Sequence, residues 1–293
     1  MTKSAMITIA GRPNVGKSTL TNAIVGEKVA IVSNKPQTTR NRICGVLTRD
    51  ETQLVFMDTP GFHKARTRLG DYMVNVVQES VADVDAVFLL VEPIANIGPQ
   101  EEGLIEQIKS RNVPAVLVIN KIDTVEKETL LEVIAKYSQV CDFDAIIPIA
   151  AKTGEGVEEL LKEAEKYAVE GPHFFPSDAV TDQPERQIIA EIVREKLLWC
   201  LEREIPHGTA VEITRFTERD NGIIDIDATI YCEKASHKGI TIGKHGDMLK
   251  KISTMARSDC ERFMGTKVFL QTWVKVKENW RDNQFLIRNF GYE

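Results

Sequence analysis

Three short stretches of this 293-residue chain have the residue types and spacing to hold a nucleotide. The first is Gly11-Arg12-Pro13-Asn14-Val15-Gly16-Lys17-Ser18, the pattern GxxxxGK[ST] set between an apolar run, Ser4 to Ala10, and a helical pattern, Ser18 to Val25. Such a loop turns backbone N–H groups towards a phosphate, and the helix N-terminus behind it adds positive potential. Gly11, Asn14, Val15, Gly16 and Thr19 belong to this cradle, Lys17 would place its ammonium on the β/γ-phosphate oxygens, and Ser18 would ligate Mg²⁺. The second stretch, Asp58-Thr59-Pro60-Gly61, follows the apolar run Leu54 to Met57. Asp58 can hold Mg²⁺ through water, and the Gly61 N–H can bond a γ-phosphate and report its loss. The third, Asn120-Lys121-Ile122-Asp123, follows Ala115 to Ile119. Asp123 can accept hydrogen bonds from guanine N1–H and the 2-amino group. Adenine would leave that carboxylate unpaired, which is heavily penalised, so the pattern points to guanine and argues against an ATPase. Lys121 would lie along the base, Asn120 would brace the loops, and Ala150-Ala151-Lys152 would offer guanine O6 a backbone N–H, that of Ala151 by preference.

A fourth stretch suits a polyanion. Gly243-Lys244-His245-Gly246 places two glycines where phosphates could approach the backbone closely, with Lys244 between them. Ile240 and Ile242 precede it as an apolar surface for bases, and Lys250, Lys251, Arg257 and Arg262 follow. The whole chain carries a net charge of −6, yet Lys234 to Arg288 holds twelve Lys/Arg against five Asp/Glu. Concentrated positive charge in an acidic chain attracts nucleic acid or an anionic membrane surface. Trp273 and Trp280 could stack on bases; packing is the more common fate for each.

The elements that must position these residues follow from periodicity. Short apolar runs at Ser4–Ala10, Gln53–Met57, Ala86–Val91, Ala115–Ile119 and Ala145–Ile149 read as buried strands. Helical patterns lie between them, at Tyr72–Val81, Glu101–Arg111, Glu126–Tyr137 and Val157–Ala168. Alternation of this kind predicts an α/β domain with a mostly parallel sheet over 1–170, and ligands bind beyond the carboxyl ends of such strands. Residues 171–184 carry Pro172, Pro176 and Pro184 without periodicity and read as a linker. Residues 185–293 read as an α+β domain. A helix at Glu185–Glu204 precedes two strands, about Ala210–Thr217 and Ile223–Cys232, joined through Asp220-Asn221-Gly222. The glycine turn, a helix to Phe263, a strand at Lys267–Val276 and a short helix at Asp282–Phe290 complete it.

Composition excludes several classes. Apolar residues at 43% and charged residues at 27% rule out a disordered or fibrous chain. No apolar run approaches the ~18 residues of a membrane span, and the N-terminus has no secretory pattern. The five cysteines are widely spaced with no CxxC pair, suggesting neither a disulfide framework nor a zinc site, and a cytoplasmic setting is expected.

Taken together, residues 1–170 resemble the translation-factor-like class of P-loop GTPases. That resemblance implies a first switch at Gln37-Thr38-Thr39-Arg40, with Thr39 binding Mg²⁺ and the γ-phosphate and Thr38 as the fallback. It also implies catalytic roles for Lys17, Thr39 and Gly61, with Ser18, Thr39 and Asp58 around the metal. Where Ras-like relatives place a water-orienting glutamine, this chain has Phe62, so slow intrinsic hydrolysis is expected. His63 is a weaker candidate base. Asn14 matches the position that coordinates K⁺ in potassium-activated relatives. Residues 185–280 resemble a type II KH domain, implying single-stranded RNA on Ile242, Gly243, Lys244, His245, Gly246, Lys250 and Lys251. A GTPase domain followed by a KH domain resembles a family of bacterial ribosome-assembly GTPases. Membership implies binding of the 3′ end of 16S ribosomal RNA, a role in 30S subunit maturation, action as a monomer and some peripheral membrane association. Two rivals stand beside it. A tRNA-modifying GTPase would need a second catalytic centre, which the sequence does not offer. A GTP-dependent switch could instead direct its basic domain to protein or membrane.

Overall fold

The computed structural model describes residues 1–61, 67–80 and 84–292. The chain divides into two compact units. One comprises Met1–Ala30, Thr39–Ala65 and Met73–Asp182; the other comprises Ile31–Thr38, Arg66–Tyr72 and Gln183–Glu293.

The first unit is built on a seven-stranded sheet. Its elements are β1 (Lys3–Gly11), α1 (Lys17–Val25), β2 (Ile43–Arg49), β3 (Thr52–Asp58), the later part of α2 (Arg68–Ser80), β4 (Ala86–Val91), α3 (Pro99–Arg111), β5 (Ala115–Ile119), α4 (Lys127–Ser138), β6 (Ala145–Pro148), α5 (Val157–Glu165) and β7 (Val169–Glu170). The path is β2-β3-β1-β4-β5-β6, parallel from β3 onward, with β2 and the short β7 antiparallel to their neighbours. Residues of β4 and β5 are buried throughout, as strands covered on both faces must be. Helices α1 and α5 close one face over Ile7, Ile9, Phe56, Phe88 and Val118, while α3 and α4 close the other over Leu89, Val91, Leu117 and Ile119. Register places the ends of β1, β3, β4 and β5 side by side, so the loops that follow them gather at one edge.

Two features of this unit depart from the sequence reading. The strand β2 was not anticipated. It contains Gly45, which periodicity treats as a break, but an added Cβ there would meet Thr21 Cγ2 at 2.7 Å, so the glycine admits α1 against the sheet. The stretch expected to be a linker is bound along this edge. The Val46 N–H donates to the Val180 carbonyl at 2.9 Å, the Cys44 N–H to Asp182 Oδ1 at 3.0 Å, and the Phe175 N–H to Gln53 Oε1 at 2.9 Å. One of these bonds is backbone to backbone and two end on single side-chain acceptors, which leaves no side-chain period to read, and together they pin the segment beside the edge strand β2.

The second unit contains α6 (Glu185–Cys200), β8 (Thr209–Glu218), β9 (Ile224–Cys232), α7 (Ala235–Ile242), α8 (Asp247–Met264), β10 (Val268–Val276) and α9 (Gln284–Asn289). Its sheet has the order β10-β9-β8, with β8 antiparallel and β10 parallel to β9. A parallel neighbour requires a crossover, and α7, the glycine turn and α8 supply it. Helices α6 and α8 pack on one sheet face through Val193, Leu197, Ile252 and Ala256 against Ala228 and Ile230. On the other face Asp225 and Thr229 of β9 are also buried, and Asp225 pairs with Arg215 and Arg219.

The two tryptophans separate cleanly. Trp280 is fully buried, meets Phe290 edge-on, stacks near Tyr292, and donates its indole N–H to the Gly208 carbonyl at 2.9 Å. Trp273 is 57% exposed, so packing does not account for it. Trp280→Ala should therefore cost about 3–5 kcal/mol in a denaturant melt, whereas Trp273→Ala should stay within about 0.5 kcal/mol of the parent.

Candidate nucleotide site and nucleic-acid interface

The phosphate loop runs from the end of β1 into α1. Gly16 has φ 107°, and a Cβ on it would lie 2.2 Å from the Asn120 side-chain nitrogen, so no other residue fits. Asn120 follows β5 and does two jobs. Its Nδ2 donates to the Val15 carbonyl at 2.8 Å, and its Oδ1 accepts from the Ala151 N–H at 2.9 Å. The phosphate loop, the base loop and the loop after β6 are thus tied through one buried amide. The Ala151 N–H, the expected donor to guanine O6, bonds Asn120 Oδ1 in this structure. The next backbone donor along the loop belongs to Lys152. Asp123 lies exposed in a single 3-10 turn, Ile122–Thr124, with Lys121 before it, and Lys152, in the loop after β6, is also exposed.

Lys17 is buried, and its ammonium donates to the Gly11 and Arg12 carbonyls at 3.1 and 2.9 Å. Burial lowers its pKa from 10.5 to about 8, with Asp58 pulling the other way. Ser18, Thr39 and Asp58 converge. Ser18 Oγ lies 2.9 Å from Thr39 Oγ1 and donates to Asp58 Oδ2 at 2.6 Å. Thr38 points elsewhere: its hydroxyl donates to the Lys35 carbonyl at 2.6 Å, and its own carbonyl accepts from the buried Arg194. Of the two threonines, Thr39 is the one whose hydroxyl meets Ser18. Gly61 packs on the loop so closely that a Cβ would meet three Pro13 atoms at 2.8 Å. Phe62 and His63 lie outside the described residues.

Asp58 is fully buried, and its Oδ1 has no hydrogen-bond partner among the described residues. Burial raises its pKa from 3.8 to about 6, against the opposing pull of Lys17 and the Ser18 hydrogen bond. The Asp58 carboxylate and the two hydroxyls are hard oxygen donors suited to Mg²⁺, which would take phosphate oxygens and water as its remaining ligands. Neighbouring side chains that periodicity did not single out complete the site: Arg12 ion-pairs with the buried Glu101 at 2.5 Å, and Lys121 with Glu92 at 2.5 Å.

In the second unit the GxxG turn joins α7 to α8. Gly243 has φ 76°, and a Cβ there would meet Met248 Cβ at 2.7 Å, so it is needed for close helix approach. Gly246 has φ 83° with open space beside it, and His245 between them has φ 54°. Lys244, His245, Lys250 and Lys251 are exposed, Ile240 is half exposed, and Ile242 is partly covered. The predicted interface residues therefore share one turn and the start of one helix, with backbone and positive charge open to a ligand.

Family models agree with this division. Residues 6–121 match a family described as 50S ribosome-binding GTPase, and residues 204–281 match the KH domain. A P-loop GTPase joined to a KH domain is the class this fold and site define. The chain belongs to the Era family of GTPases. It is 53% identical to GTPase Era of Ruminiclostridium cellulolyticum, over 99% of this chain and 98% of the relative. It is 51% identical to GTPase Era of Clostridium kluyveri over the full length of both. A crystal structure of an Aquifex aeolicus Era point variant bound to GDP and AlF4⁻ is 37% identical, with a TM-score of 0.94 over 99% of both chains. A second Era structure, holding MgGDPNP and nucleotides 1506–1542 of 16S ribosomal RNA, is 37% identical with a TM-score of 0.95 over 100% of this chain and 99% of the other.

The buried Asp58 carboxylate generates a prediction. A folded-state pKa above the unfolded value means that ionisation opposes folding. The cost is absent below the ordinary value of 3.8, grows as pH rises, and is complete above about 6. Asp58→Asn should raise the stability of the nucleotide-free protein at pH 7.5 by about 1–3 kcal/mol, while removing Mg²⁺-dependent GTP hydrolysis. Thermal melts of both proteins should show the difference shrinking as pH falls from 7.5 towards 4.5.

Proposed function

We propose that this chain binds and hydrolyses GTP, uses its KH unit to bind the 3′ end of 16S ribosomal RNA, and acts in the cytoplasm in maturation of the 30S subunit. The observation that carries the first part is the convergence of Ser18, Thr39 and Asp58 beside Lys17 in a loop braced by Asn120. The second part rests on the exposed GxxG turn with its flanking lysines, and on full-length similarity to an Era bound to 16S ribosomal RNA nucleotides. The family model's reference to the 50S subunit covers the GTPase half alone, and the full-length match is the stronger guide.

The chain's residues divide the work. Lys17 sets a positive charge at the phosphate loop, and the loop's backbone donors orient the phosphates. Asp58, Ser18 and Thr39 would hold Mg²⁺, which when bound neutralises charge on phosphate oxygens. Thr39 and Gly61 belong to segments that a γ-phosphate would order, and such ordering is how nucleotide state alters a GTPase's other contacts. Asp123 selects guanine. Potassium activation through Asn14 is part of the proposal, and equal hydrolysis rates in K⁺ and Na⁺ at matched ionic strength would remove it.

The direct test measures binding of the full chain, loaded with a non-hydrolysable GTP analogue and Mg²⁺, to an oligonucleotide copying the 3′ end of 16S ribosomal RNA. A scrambled oligonucleotide and anionic vesicles run beside it. Gly246→Asp is the informative variant, because Asp tolerates the left-handed φ of 83° better than most side chains, has open space beside it, and would set a carboxylate where phosphate approaches. Sequence-selective binding weakened at least about tenfold in the variant is expected. Equal binding to both oligonucleotides, unmoved by Gly246→Asp, would overturn the RNA assignment. Vesicle binding in its place would favour a membrane-directed switch.

A further inference from the structure

A ring of charged side chains connects the phosphate loop to the base-recognition loop, and the nucleotide motifs do not account for it. It begins at the N-terminus of α3, where the buried Glu101 accepts from the Gly98 N–H at 3.0 Å and ion-pairs with Arg12 of the phosphate loop at 2.5 Å. Arg12 reaches Glu92, just past β4, at 3.4 Å. Glu92 in turn ion-pairs with Lys121 at 2.5 Å, and the Lys121 ammonium also donates to the Asn14 carbonyl at 2.8 Å, back in the phosphate loop.

Lys121 and Asn14 share a second property. Both are non-glycine residues with left-handed backbones, φ 65° and 66°. Such conformations are costly and persist where surrounding contacts over-determine them. The Lys121–Asn14 bond joins the two strained residues directly, and Glu92 is the anion that holds the ammonium there. Glu92 is only about a quarter exposed, so its attraction for Lys121 is less screened than that of a surface pair.

We infer that Glu92 is a positioning residue for guanine-nucleotide binding, acting through Lys121, whose stem it fixes against the phosphate loop where the base is read. This rests on the guanine-nucleotide reading above. It predicts uniform binding: Glu92 should support GDP and GTP equally and contribute nothing peculiar to the transition state.

The test uses the full chain. Fluorescent GDP and GTP-analogue titrations and steady-state GTP hydrolysis are run on the parent, Glu92→Gln, Glu92→Asp, Lys121→Met and the Glu92→Gln/Lys121→Met double variant. Glu92→Gln should raise Kd for both nucleotides by about three- to tenfold and raise KM in parallel, with kcat within about twofold. Glu92→Asp should restore part of the affinity. In the Lys121→Met background, adding Glu92→Gln should change Kd by less than about twofold, because the pair's coupling is already gone. An unchanged Kd in Glu92→Gln, or a loss that persists undiminished without Lys121, would overturn the inference, the second outcome assigning the effect to Arg12. A parent that binds no guanine nucleotide would instead defeat the functional reading itself.

Discussion

The GTPase unit is organised around one carboxylate that cannot be satisfied by protein alone. Asp58 ends β3, lies out of water, and carries an oxygen with no partner among the described residues. Burying a charge is expensive unless it is paired and hydrogen-bonded. Ser18 satisfies one oxygen and the buried Lys17 compensates part of the charge, itself desolvated far enough to lose basicity. The arrangement stores an electrostatic demand that a divalent cation meets. Everything that brings Ser18, Thr39 and Asp58 together therefore serves that demand: parallel pairing of β1 with β3, the loop between β1 and α1, and the packing of Gly61 on Pro13.

The KH unit solves a different problem, exposing backbone without losing the fold. Its parallel β9–β10 pair forces a crossover, and the crossover is where the exposed turn sits. The two glycines of that turn have distinct reasons for being there. Gly243 is excluded from having a side chain by Met248, whereas Gly246 has open space and is required only by its backbone angle. The first glycine secures the helix junction and the second leaves room for a ligand. Buried Trp280 and the Asp225 pairs with Arg215 and Arg219 stabilise the sheet behind.

Much of this was legible in the sequence because it rests on local rules. Asp58 ends β3 and Asn120 directly follows β5, while Gly16, Lys17 and Ser18 sit where a loop enters α1 and Asp123 in the turn after β5, all at motif spacings that are read locally; the buried strands β4 and β5 coincide with uninterrupted apolar runs. What escaped depends on contacts between distant segments. The strand β2 was hidden by Gly45, whose purpose is a helix 20 or so residues earlier in the chain. The bound course of 171–182 is backbone pairing with an edge strand, and proline-rich spacing reads the same whether such a segment is free or pinned. The commitment of the Ala151 N–H follows from where Asn120 reaches, and the Arg12–Glu92–Lys121 ring from three strand ends meeting; neither has a sequence period. The adjacent threonines show the limit most plainly, since composition cannot separate neighbours whose side chains point apart.

Those threonines also offer the most direct test that Thr39, with Ser18 and Asp58, forms the metal site on which GTP hydrolysis depends. Single-turnover GTP hydrolysis with saturating Mg²⁺ would be compared for the parent, Thr38→Ala and Thr39→Ala, with GDP affinity measured on each. The account predicts that Thr39→Ala loses about a hundredfold or more in rate while keeping GDP affinity, and that Thr38→Ala stays within a few-fold of the parent. A Thr39→Ala protein that hydrolyses GTP normally, or a Thr38→Ala protein that is the more damaged of the two, would contradict it.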